Sequence, residues 1–287
     1  MWGAADPRIT YRPHNKLYYL TWDNCTFNCY PQRETLLSTT KNPFDLKGWK
    51  LHGPVFPWNY TSGASLLFRD AHVDNGEAPP HLAFVCNSNT ANEILLAESD
   101  DGLSWHLPKD KSKEVFMAGR PGCWDAAGVA VGAQPERLSS GDYLYIYNID
   151  TGFPYRPNWL GRCAIGWAIL DKNDPSTIIA RSEAPLLTAS LPWEACDNKT
   201  RGNATCQQPM VVFSTGMKPL GGDEFLVLYG AADSDVGVAK IKVNIKNTHS
   251  QPTGTLDLTH TLWNVHNANK TVAVSGVHIP ATVRVLD

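Results

Sequence analysis

Short runs of alternating or continuous apolar residues recur along this chain, each closed by a polar turn. Leu17 to Asp23, His81 to Asn87, Tyr143 to Asp150 and Glu224 to Asp233 read as strands, because β-branched and aromatic side chains at a period of two suit a pleated, half-buried surface. A second strand and a turn follow each of them. The clearest case is Ile94-Leu95-Leu96-Ala97-Glu98-Ser99, then Asp100-Asp101-Gly102-Leu103-Ser104-Trp105. There Asp-Gly carries the chain back, and the Trp is expected to seat between neighbouring sheets. Weaker echoes stand at Asn42 to Trp49 and at Ala164 to Asp171, the latter followed by Asn173-Asp174-Pro175. No segment holds a helical period over helical length.

The spacing of these units is that of blades, and 20 prolines and 22 glycines punctuate them. Such punctuation suits a sandwich, barrel or propeller and not a parallel α/β sheet. Blade-sized self-similarity favours radial repetition, so an all-β propeller is expected. Residues 1–243 make the propeller domain in this reading. The stretch Asn244 to Asp287 fits the repeat poorly and is expected as an extension, either a closing strand or a hairpin of the same domain.

Charge narrows the partners. With 25 basic and 28 acidic residues the net charge is −3, which gives no electrostatic case for nucleic acid or for an anionic membrane. A neutral ligand is expected. No apolar run approaches the roughly 18 residues of a spanning helix. Nine histidines fall in no tight ligand pattern, so His72, His81 and His106 read as turn or packing residues, and no metal or other cofactor is expected. GxGxxG, P-loop and nucleophile-elbow patterns are absent.

Five Asn-x-Thr sequons, at Asn24, Asn59, Asn198, Asn203 and Asn269, point to a glycosylated protein of the secretory lumen or outside the cell. Seven cysteines fit that compartment. Cys25 with Cys29, and Cys196 with Cys206, are expected as local disulfides, which leaves Cys86, Cys123 and Cys163. Met1-Trp2-Gly3-Ala4 lacks the basic start and apolar stretch of a signal peptide. The natural amino terminus is therefore expected further upstream.

One tripeptide carries candidate chemistry. Asp6-Pro7-Arg8 lies just before the strand Leu17 to Asp23, and Pro bars its predecessor from the right-handed helical region. Asp6 is thus expected in extended backbone at a strand entrance, with its carboxylate aimed into a funnel.

Together with Leu66-Leu67-Phe68-Arg69, Ser99 to Trp105, Gly166 to Asp171 with Asp174-Pro175, Pro185-Leu186-Leu187 through Trp193-Glu194, and Val211-Val212-Phe213 leading to Tyr229-Gly230-Ala231-Ala232-Asp233, that tripeptide resembles glycoside hydrolase family 130. These are five-bladed propellers acting on β-mannosides as phosphorylases or hydrolases. The resemblance spans about Trp2 to Val243 and implies about four of the five blades here, with the amino-terminal portion lacking. By it, Asp6 matches the proton-donating Asp and Asp233 an Asp that holds the sugar. Arg69 matches a phosphate-binding cation, while the other basic positions fall near Asn87, Gly128 and Asn148. Glu194 after Trp193 matches an aromatic-Glu pair.

Substrate-binding candidates are accordingly Arg8, Arg69, Asn87, Trp124, Asn148, Glu194 and Asp233. Trp124, Trp159 and Tyr155 could stack on pyranose faces or fill gaps between blades. Inverting hydrolysis needs a second carboxylate across the ring. Glu136 and Asp125 are the candidates, with an ion pair to Arg137 and a turn cap as their respective structural alternatives. Hydrolysis of mannose-containing glycans is expected first. Phosphorolysis with inorganic phosphate, and glycan binding without cleavage, are the alternatives.

Overall fold

The computed structural model describes residues 2–26, 33–70, 79–87, 93–150, 163–196 and 209–243, with strands at 255–258, 262–264 and 279–282. Tyr155, Trp159, His72, Cys29, Cys206 and the sequons at Asn198, Asn203 and Asn269 lie outside these residues, as does the side chain of Cys25. Both expected disulfides therefore rest on residues outside the description. Cys86, Cys123 and Cys163 are not disulfide-bonded.

The chain forms two compact units, residues 1–119 with 129–135, and residues 120–128 with 136–287. Each carries two antiparallel blades. In the first unit one blade runs Trp2–Arg12, Leu17–Thr26, Glu34–Thr40, Lys50–Pro54, and the next Thr61–Leu67, His81–Asn87, Glu93–Ser99, Val115–Ala118. In the second unit the third blade runs Glu136–Arg137, Tyr143–Asp150, Cys163–Leu170, Ile178–Arg181, with Leu187–Thr188 also pairing the Cys163–Leu170 strand. The fourth blade takes Val212–Gly221, Glu224–Ala231 and Asp235–Lys242, and its outer strand is Leu262–Asn264. Sequential four-stranded sheets of this kind are β-propeller blades, the class expected, and the described residues hold four of them.

Burial explains the apolar runs. Every residue of Cys163–Leu170 is buried, as a strand covered on both faces requires. Glu224–Ala231 instead alternates between more and less buried positions. Between the first two blades Tyr19, Leu37, Leu66, Val85 and Trp105 form one core with Phe56 and Phe68 against it. Each such aliphatic or aromatic side chain stabilises the fold by about 1.5–3 kcal/mol relative to exposure. Trp105 sits there as the sequence implied, 5.8 Å from the Phe56 ring. The turn before it is held by Asp101, which accepts from the backbone N–H groups of Leu103 and Ser104 and from the Ser99 hydroxyl. Asp171 does the same for Asn173 and Asp174 in the third blade.

Two glycines are required by close approach. A Cβ at Gly166 would lie 2.5 Å from the Tyr147 ring, and one at Gly237 would lie 2.3 Å from the Tyr229 ring. Each Tyr stands opposite its Gly across adjacent strands. Each hydroxyl reaches a buried carboxylate, as described next.

Candidate functional site

In the first unit the Asp-Pro-Arg run sits within the strand Trp2–Arg12, but its pairing breaks there. Ala5 faces Asp23 and Arg8 faces Thr21, so Asp6 and Pro7 together oppose the single residue Trp22. This is a bulge, and proline explains its place, since it has no N–H to give the ladder. Asp6 has φ 49, a left-handed conformation and not the extended one expected. Proline removes only the right-handed helical option from its predecessor, and the bulge selects the left-handed alternative, which Asp tolerates better than most residues. The strain is of order 1–2 kcal/mol. Strain of this kind concentrates at functional positions.

Arg8 holds the bulge in shape. Its Nη1 donates to the Asp6 carbonyl at 2.9 Å, Nε to Gly132 O at 2.9 Å and Nη2 to Val131 O at 2.8 Å. The guanidinium is buried, and these three N–H groups are turned to the protein's own backbone, although a substrate contact was expected. Gly63, with φ 76, lets Arg8 pass, because a Cβ there would lie 2.4 Å from Nη1.

Beside Asp6 stands a carboxylate that the sequence reading missed. Asp23 is 0% exposed. Its Oδ1 accepts from the Gly63 N–H at 2.6 Å and from the Thr35 hydroxyl at 3.1 Å. Oδ2 is buried and accepts no hydrogen bond among the described residues. Burial pushes the Asp23 carboxyl up to about 7, and the charge of Asp6 pushes the same way. The Gly63 N–H and the charges of Arg8 and Arg33 work against them. A carboxyl so placed keeps its proton at slightly acid pH, the condition a general acid needs. The available signal was an Asp ending an apolar strand directly opposite Asp-Pro-Arg.

Arg69 is buried on the second blade, and its backbone N–H donates to His81 Nδ1 at 3.1 Å. Burial, then the Arg12 charge, pushes His81 down to about 4, so it is a neutral packing residue. Asn87 ends its strand opposite Thr61.

In the second unit most candidates turn out to hold structure. Asp125 is 0% exposed. It accepts from Arg120 Nε at 3.0 and 3.1 Å and from the Tyr147 hydroxyl at 3.0 Å, and it pairs with Arg181 at 2.6 Å. Two cations and a phenol hold the carboxylate and burial keeps water from it, so the arrangement fits a structural anchor and not the general base expected. Trp124 donates to Ser182 O at 3.0 Å and packs 6.2 Å from the Tyr147 ring. Asn148, expected to touch substrate, is fully buried. Its Nδ2 donates to Ser214 O at 2.9 Å and its Oδ1 accepts from Ser214 N at 2.7 Å, which stitches the third blade to the fourth.

Glu194 is likewise 0% exposed. It accepts from the backbone N–H groups of Ser190 and Leu191 at 2.8 and 2.9 Å, closing the helical turn Pro192–Ala195, and from the Tyr229 hydroxyl at 2.7 Å. Burial and the Glu194 charge raise the Tyr229 phenol far above its ordinary value. Glu194 therefore anchors the turn to the fourth blade, and its oxygens are not presented to a sugar. Glu136 sits half-buried in the two-residue strand opposite Leu144. Asp233 is exposed at a hairpin tip where Ala232 and Asp233 have φ 51 and 48 and Ser234 N donates to Ala231 O. Among the described residues no group of three acidic, His or Cys side chains could hold a metal.

Comparison with known proteins places this geometry. A family model described as β-1,4-mannooligosaccharide phosphorylase matches residues 1–248. A 1,2-β-oligomannan phosphorylase of Thermoanaerobacter sp. (strain X514) is 29% identical over 241 residues, 84% of this chain and 69% of that protein. A β-1,2-mannobiose phosphorylase of the same organism is 30% identical over 241 residues, 84% of this chain and 67% of that protein. Among solved structures, the β-1,2-mannobiose phosphorylase from Listeria innocua, in complex with β-1,2-mannobiose, matches with a TM-score of 0.63 at 23% identity. That match covers 84% of this chain and 58% of that one, and supports the fold. This chain thus spans little more than half of that enzyme.

Proposed function

The chain belongs to glycoside hydrolase family 130, and on that premise we propose that it cleaves β-mannosides with inorganic phosphate, Asp6 serving as proton donor. The observation that carries this reading is Asp6 itself. It is the acidic residue of the resembling tripeptide, half-buried and held in a strained bulge by Arg8. The two Thermoanaerobacter relatives are phosphorylases by name, which favours phosphate over water as the nucleophile.

In the proposed reaction a phosphate oxygen bonds to the anomeric carbon as the bond from that carbon to the leaving sugar breaks. The leaving oxygen takes the Asp6 proton, directly or through a sugar hydroxyl. The products are mannose 1-phosphate, inverted at C1, and a shortened glycan. By the resemblance Arg69 is the cation that would meet phosphate, and a guanidinium suits an oxyanion because it can bind it in bidentate fashion.

Hydrolysis is the second reading, and a specific observation favours it. Asn87 and Asn148 stand where the resemblance calls for cations, and the Asn148 amide is bonded to Ser214. With water as nucleophile Glu136 would be the base. Incubating the chain with β-1,2-mannobiose with and without phosphate separates the readings. Phosphate-dependent mannose 1-phosphate is the expected product. Free mannose in both buffers would replace phosphorolysis by hydrolysis, and retained binding without turnover would replace both by a glycan-binding role.

A further inference from the structure

We propose that Arg8 and Gly63 together are the positioning device of Asp6: Arg8 pins the Asp6 backbone in its left-handed turn so that the carboxyl is aimed at the leaving oxygen, and Gly63 is the gap through which Arg8 reaches. This rests on the reading of Asp6 as proton donor. All the residues concerned lie in the first unit. Arg8 Nη1 donates to the Asp6 carbonyl at 2.9 Å, and that bond spans Pro7, whose ring fixes its own φ. The direction of a carbonyl is set by the ψ of its residue, so the bond holds Asp6 where its neighbour is already rigid. The other two nitrogens of the guanidinium, Nε and Nη2, donate to Gly132 O at 2.9 Å and Val131 O at 2.8 Å. Val131 is fully buried. The bulge is thereby tied to packed backbone and not to another flexible side chain.

Asp6, at φ 49, needs such a hold. A left-handed conformation is unfavourable for a residue with a Cβ, and a residue before proline prefers the extended region. Released from Arg8, Asp6 relaxes toward that region and its carboxyl swings with the backbone. A misplacement of about 1 Å at a reacting group costs on the order of 10²-fold in rate. Gly63 makes the hold possible. A Cβ there would overlap Arg8 Nη1 and stand 3.0 Å from its Cζ and 3.2 Å from Val131 Cγ2. The tip of a loose arginine would step aside, but this one is bonded at all three nitrogens, so clearing a methyl group breaks the bonds that hold Asp6. The φ of 76 at Gly63 is a second demand for glycine. Its N–H meanwhile donates to Asp23 Oδ1 at 2.6 Å, on the strand opposite, where Asp23 faces Ala5 at the edge of the bulge. Gly63 therefore braces the bulge from both strands.

The test uses the full chain with two substrates, β-1,2-mannobiose and 2,4-dinitrophenyl β-mannoside, each with inorganic phosphate. The second releases a phenolate that needs no proton, so a misaimed acid matters little to it, whereas a damaged fold or sugar site lowers both reactions. Lysine carries one ammonium in place of the planar fork and cannot reach three carbonyls at once. Arg8→Lys is expected to lower kcat on mannobiose about 10- to 100-fold with KM within about twofold of native, and to keep the dinitrophenyl substrate within about threefold. Gly63→Ala should do the same with the arginine intact, and the double variant should lose little more than either single one, as expected of one device. Native turnover by Arg8→Lys, or equal losses on both substrates, overturns the positioning role. A second measurement needs no turnover. In the chain labelled with carbon-13 aspartate, the Asp6 Cα and Cβ resonances, identified by their loss in Asp6→Asn, are expected to shift from left-handed toward extended values in Arg8→Lys. Unmoved resonances overturn the lock. Undiminished mannobiose turnover by Asp6→Asn overturns the donor reading alone, and the resonances then decide by themselves whether Arg8 holds the bulge.

Discussion

Asp23 and Asp125 are the same side chain, equally inaccessible to water, in different units, and they are held in opposite ways. Around Asp125 lie Arg120, Arg181 and the Tyr147 hydroxyl, all within bonding or pairing distance. Around Asp23 lie one N–H, one hydroxyl and a second carboxylate. The first arrangement stabilises a charge and uses it to tie a loop to a sheet. The second resists a charge and so retains a proton. Burial alone therefore says nothing about the role of a carboxyl; the sign and number of its neighbours decide it.

The comparison breaks most visibly at the catalytic side. Asp6→Asn is expected to lower kcat/KM by about 10²–10⁴, the usual contribution of a positioned acid, while leaving thermal unfolding near that of the native chain. At Asp125 the expected effect is on stability. Asp125→Ala leaves the buried Arg181 without its counter-charge, and urea unfolding should show a loss of about 3–5 kcal/mol. A loss well under 1 kcal/mol would mean the cage contributes little.

Asp23→Asn should do the reverse. The folded-state value of about 7 lies above the ordinary 3.8, so folding binds this proton more tightly than the unfolded chain does. The stabilising contribution of that proton is whole below about pH 4 and is lost as pH rises through about 7. Asn removes this dependence. The variant should match the native protein near pH 4 and exceed it by up to about 4 kcal/mol at pH 8, read as a difference in urea midpoint. Equal midpoints at both pH values would remove the contrast between the two aspartates.

The smallest effect is expected at the other buried acid. Glu194→Gln offers one acceptor fewer to Ser190, Leu191 and the Tyr229 hydroxyl, and should cost about 1–3 kcal/mol. Trp193 stacks on Tyr229 with centroids 6.1 Å apart, so near-ultraviolet circular dichroism should report the same change.

Much of the architecture was legible along the chain. The strand runs, the Asp-Gly return and the buried Trp105 follow from period and turn chemistry, which act over a few residues. Asp6 was legible too, through Asp-Pro-Arg, although its backbone was not. Whether the bulge or the ladder wins at Pro7 depends on the partner strand and on Arg8 reaching Gly132. Asp125, Asn148 and Glu194 were recognisable as polar residues among apolar runs, but their partners Arg181, Ser214 and Tyr229 are far away in sequence. Asp23 looked like the polar end of a strand.

The order of residues by itself determined a set of antiparallel blades, the place of each turn and an acid beside a proline, because local sterics and alternating burial are read within one strand and its turn. Only the tertiary structure decided which carboxyls carry charge and which keep a proton. That outcome depends on field and desolvation at a point in space, where residues from several strands converge, and no local stretch of chain encodes such a meeting.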